Sequence, residues 1–239
     1  MNLNSRSSFL AAALALVGIG CGARQDAVAR GRDLFAAPAF ARAPPVERSC
    51  ATCHATSQAG DARRLPGYDM AGVSSRPAYW GGGFADLLDA IDFCAASYLG
   101  GAAIDPASDD ARALHAYLGS LAGPAIARPL TVVDNLDAAY DASLAGGDAG
   151  NGGSLYALAC AGCHGAIHTG GGRLEPLAPR LPDDTRAAHG ADPITGARPI
   201  TVEKIRHGSF LLAGGTMPLY SREALADREV ADLLAYLGY

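Results

Sequence analysis

The sequence predicts an all-α protein made of two tandem helical halves threaded with long loops rich in glycine and proline. Three observations lead there. The chain repeats one grammar: "ARGRDLFAAPAFARAPPVERSCATCHA" sets Gly31, Leu34 and Phe35 ahead of Cys50, Cys53 and His54, and "GNGGSLYALACAGCHG" sets Gly152, Leu155 and Tyr156 ahead of Cys160, Cys163 and His164. Each half then closes on a stretch containing "AYL", at 108–121 and 227–239. Finally, no apolar–polar alternation persists long enough for a strand, whereas helical spacing recurs.

Taken in order, "MNLNSRSSFLAAALALVGIGC" has one basic residue, Arg6, and then an apolar run from Phe9 to Gly20 that ends in small residues. This is the layout of an export signal over 1–20, cleaved from the mature chain, and the run is too short to span a membrane. Two processing readings stand. "VGIGC" resembles a bacterial lipobox, with Gly18 where leucine is usual, which would lipidate Cys21 and make it the mature N-terminus; ordinary cleavage after Ala23 would instead discard Cys21. Either reading sends the chain to a bacterial periplasm, the first with a lipid tether to a membrane.

Length and charge narrow the rest. With 49% apolar residues among 239, the chain can bury one sizeable core or two of about 100 residues each. Losing the signal takes the basic residues from 19 to 18 against 24 acidic ones, a net charge of −6. No basic stripe of the kind that binds nucleic acid is visible, and Lys204 is the only lysine. An acidic surface suits a partner that presents a basic face.

The first domain is expected over 26–122. Within it "LLDAIDFCAASYLGG", 87–101, reads as an amphipathic helix with Phe84, Leu87, Leu88, Ile91, Cys94 and Tyr98 on one stripe. The closing helix "SDDARALHAYLGSL" follows. Gly123 and Pro124 then stop the helix and Pro129 favours extended chain, so 123–131 is read as a linker and 132–239 as the second domain. In the last helix Val230, Leu233, Leu234 and Leu237 form one buried face, with Asp227 expected at its N-cap. Loops as long as those between these helices usually enclose something.

"CATCH" and "CAGCH" both fit C-x-x-C-H, the covalent haem attachment signature. Two thiols three residues apart on one turn can each add to a haem vinyl group, and the adjacent histidine then stands beneath the iron. Other uses of paired cysteines fit less well. The pairs lie 110 residues apart, outside zinc-ribbon spacing. A thioredoxin-like dithiol would need a βαβ setting, and a disulfide framework gives no reason for histidine to follow both pairs. Two covalently bound haem c groups are therefore expected, on Cys50, Cys53 and His54 and on Cys160, Cys163 and His164.

With these motifs in place the chain resembles a dihaem cytochrome c, two class I cytochrome c domains in tandem, over residues 26–239. The resemblance implies that an N-terminal helix crosses a C-terminal one in each half, near Gly31, Phe35 and Tyr117 and near Gly152, Tyr156 and Tyr236. It also implies that Met217, in "GGTMPLY", is the sixth ligand of haem 2, with His207 as rival. The carbonyl of Pro179, in "LAPRL", would orient His164.

No Met-Pro follows His54, which leaves Met70, Cys94 and His115 as sixth ligands for haem 1. The stretch from "SRPAYWGG" through "LLDAIDFC" resembles the haem domain shared by thiosulfate dehydrogenases and the cysteine-ligated cytochrome of the Sox sulfur-oxidising system, where a cysteine at the place of Cys94 ligates iron. Cys94 as simple core filling is the alternative. That family commonly carries an arginine four residues before the cysteine; here the position is Ala90, flanked by Asp89 and Asp92, which would repel a dianion. Arg63, Arg64 or Arg76 could supply charge from loops, and the resemblance puts Trp80 and Arg76 over a haem propionate. A thiolate at haem 1 and a thioether at haem 2 would set the first potential below the second. The expected function is periplasmic electron transfer from haem 1 to haem 2, to redox partner proteins of a respiratory or periplasmic chain. A dihaem oxidoreductase of a small sulfur compound and a gas or redox sensor are the alternatives.

Overall fold

The computed structural model describes residues 24–37, 47–57, 63–101, 104–208 and 215–239; the expected signal and Cys21 lie outside these. Among the described residues regular structure is helical, apart from one isolated antiparallel bridge between Tyr79 and Phe84.

The first half opens with α1, over 24–36. The single turn α2, Cys50–Cys53, follows, and Ser49 N–H donates to Thr52 Oγ1 at its start (3.0 Å). Helix α3, Leu87–Tyr98, begins where the Asp86 carboxylate accepts from Leu88 N and Asp89 N. Helix α4, Asp109–Ser120, is capped by Ser108, whose Oγ accepts from Ala111 N. These caps satisfy donors that an uncapped helix leaves open. Phe35, Val73, Leu87, Leu114, Tyr117 and Leu118 form a core between α1, α3 and α4.

The second half contains α5, Ala138–Ser143, α6, Ala149–Ala159, α7, Ala161–His164, α8, Asp183–His189, α9, Ala197–His207, and α10, Asp227–Leu237. Val230, Leu233, Leu234 and Leu237 are all buried, as the helical spacing predicts. Their partners include Tyr156 from α6 and Val202 and Ile205 from α9.

One contact recurs in both halves. A Cβ on Gly31 would stand 2.0 Å from Ala113 O and 2.6 Å from Tyr117 Cβ, and one on Gly152 would stand 1.9 Å from Asp232 O and 2.7 Å from Tyr236 Cβ. The glycines thus let α1 cross α4, and α6 cross α10, backbone against backbone. Beside each crossing an aromatic pair fills the space: Phe35 meets Tyr117 and Tyr156 meets Tyr236, each with ring centroids 5.6 Å apart. Gly152→Ala is expected to destabilise the protein by about 2–4 kcal/mol, at or above the usual cost of overpacking because the clash is with main chain. A denaturant midpoint equal to that of the parent would contradict this.

Asp227 is not the N-cap of α10. Ala226 holds that position, and its N–H donates to Glu229 Oε2 (2.8 Å). The Asp227 carboxylate instead accepts from Arg206 Nη2 (2.6 Å) and Tyr140 Oη (2.7 Å), since Arg206 is fully buried and a buried cation needs a paired anion.

The stretch expected to be a linker contains no helix, yet it is held along its length. Arg128 pairs with Asp69 (2.9 Å), Tyr68 Oη donates to Pro129 O (2.6 Å), and Leu130 lines a hollow of the first half. Thr131 N then donates to Glu223 Oε2 (3.0 Å) and Arg222 N to Thr131 O (3.1 Å) in the second half. The segment therefore joins both halves laterally.

Candidate functional site

Each C-x-x-C-H run is one helical turn that presents its two cysteines and its histidine together. His54 N–H closes the first turn onto Cys50 O (3.0 Å), and His164 N–H closes the second onto Cys160 O (2.9 Å). All five described cysteines are free thiols. Burial pushes Cys50 up to about 11 and Cys53 and Cys160 up to about 12, so these thiols are neutral near pH 7. A neutral sulfur that ends as a thioether suits such surroundings, whereas a thiolate cluster does not. Among the described residues no three His, Cys, Asp or Glu side chains converge to hold a metal ion by themselves.

The two histidines are prepared in the same way. His54 Nδ1 lies 2.7 Å from Tyr68 O, and His164 Nδ1 lies 3.0 Å from Pro179 O. A carbonyl can only accept, so each Nδ1 carries the proton and each Nε2 keeps a lone pair. Burial lowers the pKa of both rings, holding them neutral. This is the tautomer an iron ligand requires, with a backbone oxygen fixing the ring and raising its basicity. Gly67 makes the first arrangement possible, because a Cβ there would stand 2.2 Å from His54 Cε1.

Around His54 lies an apolar hollow of about 1320 Å³, its open mouth included. Leu87, Ala90, Ile91, Cys94, Ala95 and Tyr98 form its α3 wall, with His54, Cys50 and Cys53 elsewhere in the lining. The stripe differs from the one expected. Phe84 and Leu88 are absent from the lining, and Phe84 packs on Phe93 at 5.3 Å instead. Ala90 and Ala95 take their place, because the face turned inward is centred on Cys94 rather than on the bulkiest residues. Burial raises the Cys94 thiol well above its ordinary range.

The three rival ligands are separated by position. His115 is exposed on α4 and does not line the hollow. Met70 does line it, but its N–H donates to Ala55 O (2.8 Å), beside His54, and it lies two residues past Tyr68, the residue that holds the His54 ring. Leu181 has the same offset from Pro179 in the second half. Cys94 enters from a separate helix. Asp89 and Asp92 are not in the lining, and the Asp92 carboxylate accepts from Ile104 N (2.6 Å).

Charge at the rim of this hollow is unbalanced. Arg76 and Arg128 both line it, and among the described residues the only acid paired with them is Asp69, 2.9 Å from Arg128 Nη2 and 3.9 Å from Arg76 Nη2. The Nε atoms of both arginines are buried without a hydrogen-bond partner. Burial, and then the neighbouring Arg128, hold Arg76 below the usual guanidinium range. Two cations on one carboxylate leave a positive charge that an anionic ligand group would neutralise. Haem fits these residues: it would bring two carboxylates to such donors, a flat apolar body to the hollow, and vinyl groups to the thiols. Trp80, held at φ 52, stacks on Tyr98 at the same wall (5.9 Å, 16° between planes). Arg63 and Arg64, by contrast, are exposed, and Arg64 pairs with Glu229. Arg128 was missed in the sequence because its partner Asp69 lies 59 positions earlier.

In the second half Met217 is half-buried against the core that also receives Leu155, Cys160 and Ile167. Gly208, at φ 62, brings the end of α9 against it, since a Cβ there would meet Met217 O at 2.4 Å. His207 is no competitor for iron. Its Nδ1 lies 2.9 Å from Glu203 Oε1 and its Nε2 2.5 Å from Val133 O, which occupies both nitrogens.

No curated protein matches the chain significantly. The family model described as cytochrome C oxidase, cbb3-type, subunit III matches residues 147–237, which span α6, the second C-x-x-C-H turn, Met217 and α10. That segment, with its neutral buried His164 and its glycine-mediated helix crossing, is similar to a cytochrome c domain, a kind of domain whose chemistry is electron transfer through covalently bound haem c.

Proposed function

We propose that the chain is a dihaem cytochrome c of the bacterial periplasm that passes electrons from a haem in its first half to one in its second. The observation that carries this reading is the repeated histidine arrangement: each C-x-x-C-H histidine gives its Nδ1 proton to a backbone carbonyl and leaves Nε2 for iron. Bound haem supplies a one-electron couple; the protein sets its potential and its surroundings.

In this reading Cys50 and Cys53 would tether haem 1, and His54 and Cys94 would hold its iron. Cys160 and Cys163 would tether haem 2, and His164 and Met217 would hold its iron. A thiolate donor stabilises ferric iron and a thioether favours ferrous iron, so the first site has the lower potential. Arg64 N donates to Leu158 O (3.1 Å), so the chain that follows the first attachment turn meets the helix leading into the second, which supports a short path between sites. Arg76 and Arg128 would hold the haem 1 carboxylates. Electron transfer is favoured over oxidation of a sulfur anion because α3 sets Ala90, Ile91 and Ala95 around Cys94, and the two cations of the hollow, Arg76 and Arg128, are assigned to the haem carboxylates. Redox partner proteins with a basic face deliver or collect the electrons, and a lipidated Cys21 would tether the chain to a membrane.

Haem quantitation against peptide mass, followed by a potentiometric titration, tests the reading. Two haems per chain are expected, the lower potential belonging to the one lost when Cys50 and Cys53 are replaced. A single haem, or the reverse order of potentials, would refute it.

A further inference from the structure

The two attachment turns meet across the boundary between the halves, and the residues there are unevenly shared. Arg48, two residues before Cys50, is 3% exposed, yet among the described residues its polar partners lie in the second half. Its Nη1 donates to Thr216 O and its Nη2 to Thr216 Oγ1. Its Nε faces Glu175 Oε1 at 2.9 Å, and Glu175 is buried in the loop between His164 and Pro179. Thr216 immediately precedes Met217.

The residues after it alternate between the halves. Met217 packs against the second core, whereas Pro218 and Leu219 line the hollow of the first. Tyr220 returns to the second, where its Oη donates to Ala159 O (2.8 Å), next to Cys160. A five-residue strip therefore touches both sites, and one buried guanidinium from the first half fixes its start.

Resting on the dihaem reading above, we propose that Arg48 is a positioning residue for haem 2: by gripping Thr216 and Glu175 it fixes the loop that presents Met217, so the second site is complete only when the first half is docked on it. The physical basis is the rigid fork of the guanidinium. Two donors on the carbonyl and hydroxyl of one threonine fix that peptide's orientation and, with it, the direction of the next side chain. Removing the fork also leaves Glu175 buried without its cation, which pushes its loop, and the one holding His164, to rearrange.

The test uses the full, haem-loaded chain and imidazole as a competing ligand for ferric haem 2, followed by the methionine-to-iron charge-transfer absorption. Arg48→Ala is expected to raise imidazole affinity by about 10- to 100-fold, the range for losing hydrogen bonds to a charged group, and to lower the haem 2 potential. Arg48→Lys, which keeps the charge towards Glu175 but not the fork, should lie between the two. Thr216→Val, which removes only the hydroxyl contact, should raise affinity a few-fold, and it decides the matter if Arg48→Ala does not fold. Unchanged affinity and potential in the folded variants would overturn the proposal. Met217→Ala separates this from failure of the underlying reading. If it leaves the absorption intact, Met217 is not the ligand and the reading itself falls; if it abolishes the absorption while Arg48→Ala changes nothing, only the role of Arg48 falls.

Discussion

Cys94→Ser is expected to convert the first haem from a low-potential to a higher-potential centre, by on the order of 100 mV within the roughly 0.8 V that axial ligands span. Cys94 stands in the wall of the hollow that contains His54, on a helix separate from the loop that holds that histidine. A serine hydroxyl is a far weaker donor to iron than a thiolate, so ferric iron loses the negative charge that stabilised it. Low-temperature EPR of the oxidised protein is the direct readout. The parent should give a narrow-anisotropy low-spin signal that disappears in the variant, while the signal of the second haem persists. If both signals survive the substitution, Cys94 is core filling beside Ala90 and Ala95, and the downhill order of the two sites has no ligand basis. The surroundings of Cys94 make the experiment clean: its helix is capped by Asp86 and the change adds no volume, so the fold has little reason to respond.

The second large effect is expected from replacing Cys160 and Cys163 together by alanine. Haem content should fall from two per chain to one, with the remaining haem keeping the spectrum of the first site. Stability should fall with it. The second core is built partly from Leu155, Cys160, Ile167 and Met217, which pack around the attachment turn, and a cofactor that binds only the folded state stabilises that state by mass action. Thermal unfolding of the variant should show the second half melting first, through loss of the α6–α10 crossing. A variant that keeps two covalent haems would refute attachment at these thiols. The same substitution at Cys50 and Cys53 should spare the second haem but weaken its ligation, because Arg48 sits two residues away and its grip on Thr216 depends on where α2 lies.

Several features were legible in the sequence because they are local. C-x-x-C-H is one turn of helix, and three-residue spacing on a turn brings both thiols and the histidine together whatever surrounds them. Gly31 with Phe35 and Gly152 with Tyr156 repeat at the same interval, and the family resemblance carried by that repeat implied the helix crossing in each half. The amphipathic face of α10 followed from its spacing alone. Pro179 could be found only because a loop resemblance pointed to it; Tyr68, which plays the same part for His54, gives no such signal, since a backbone carbonyl has no residue type.

What depends on two distant segments meeting could not be read. Asp227 looked like a cap because aspartate before an apolar run usually is one, but buried Arg206, twenty-one positions earlier, claims its carboxylate. The α3 stripe was assigned by the helical spacing of its larger apolar residues, whereas the lining of the hollow includes Ala90 and Ala95 and omits Phe84 and Leu88. Arg128 looked like part of a linker and proves to be the second cation at the rim of the first hollow. Arg48 drew no reading from the sequence, and its partner Thr216 is 168 positions away. Spacing within a turn or two was enough to expect haem attachment at the two C-x-x-C-H runs and to predict a helical chain. The tertiary structure alone decided which charges are buried and what they hold, because a buried ion must find its counter-charge wherever the fold brings one, and sequence distance does not constrain that choice.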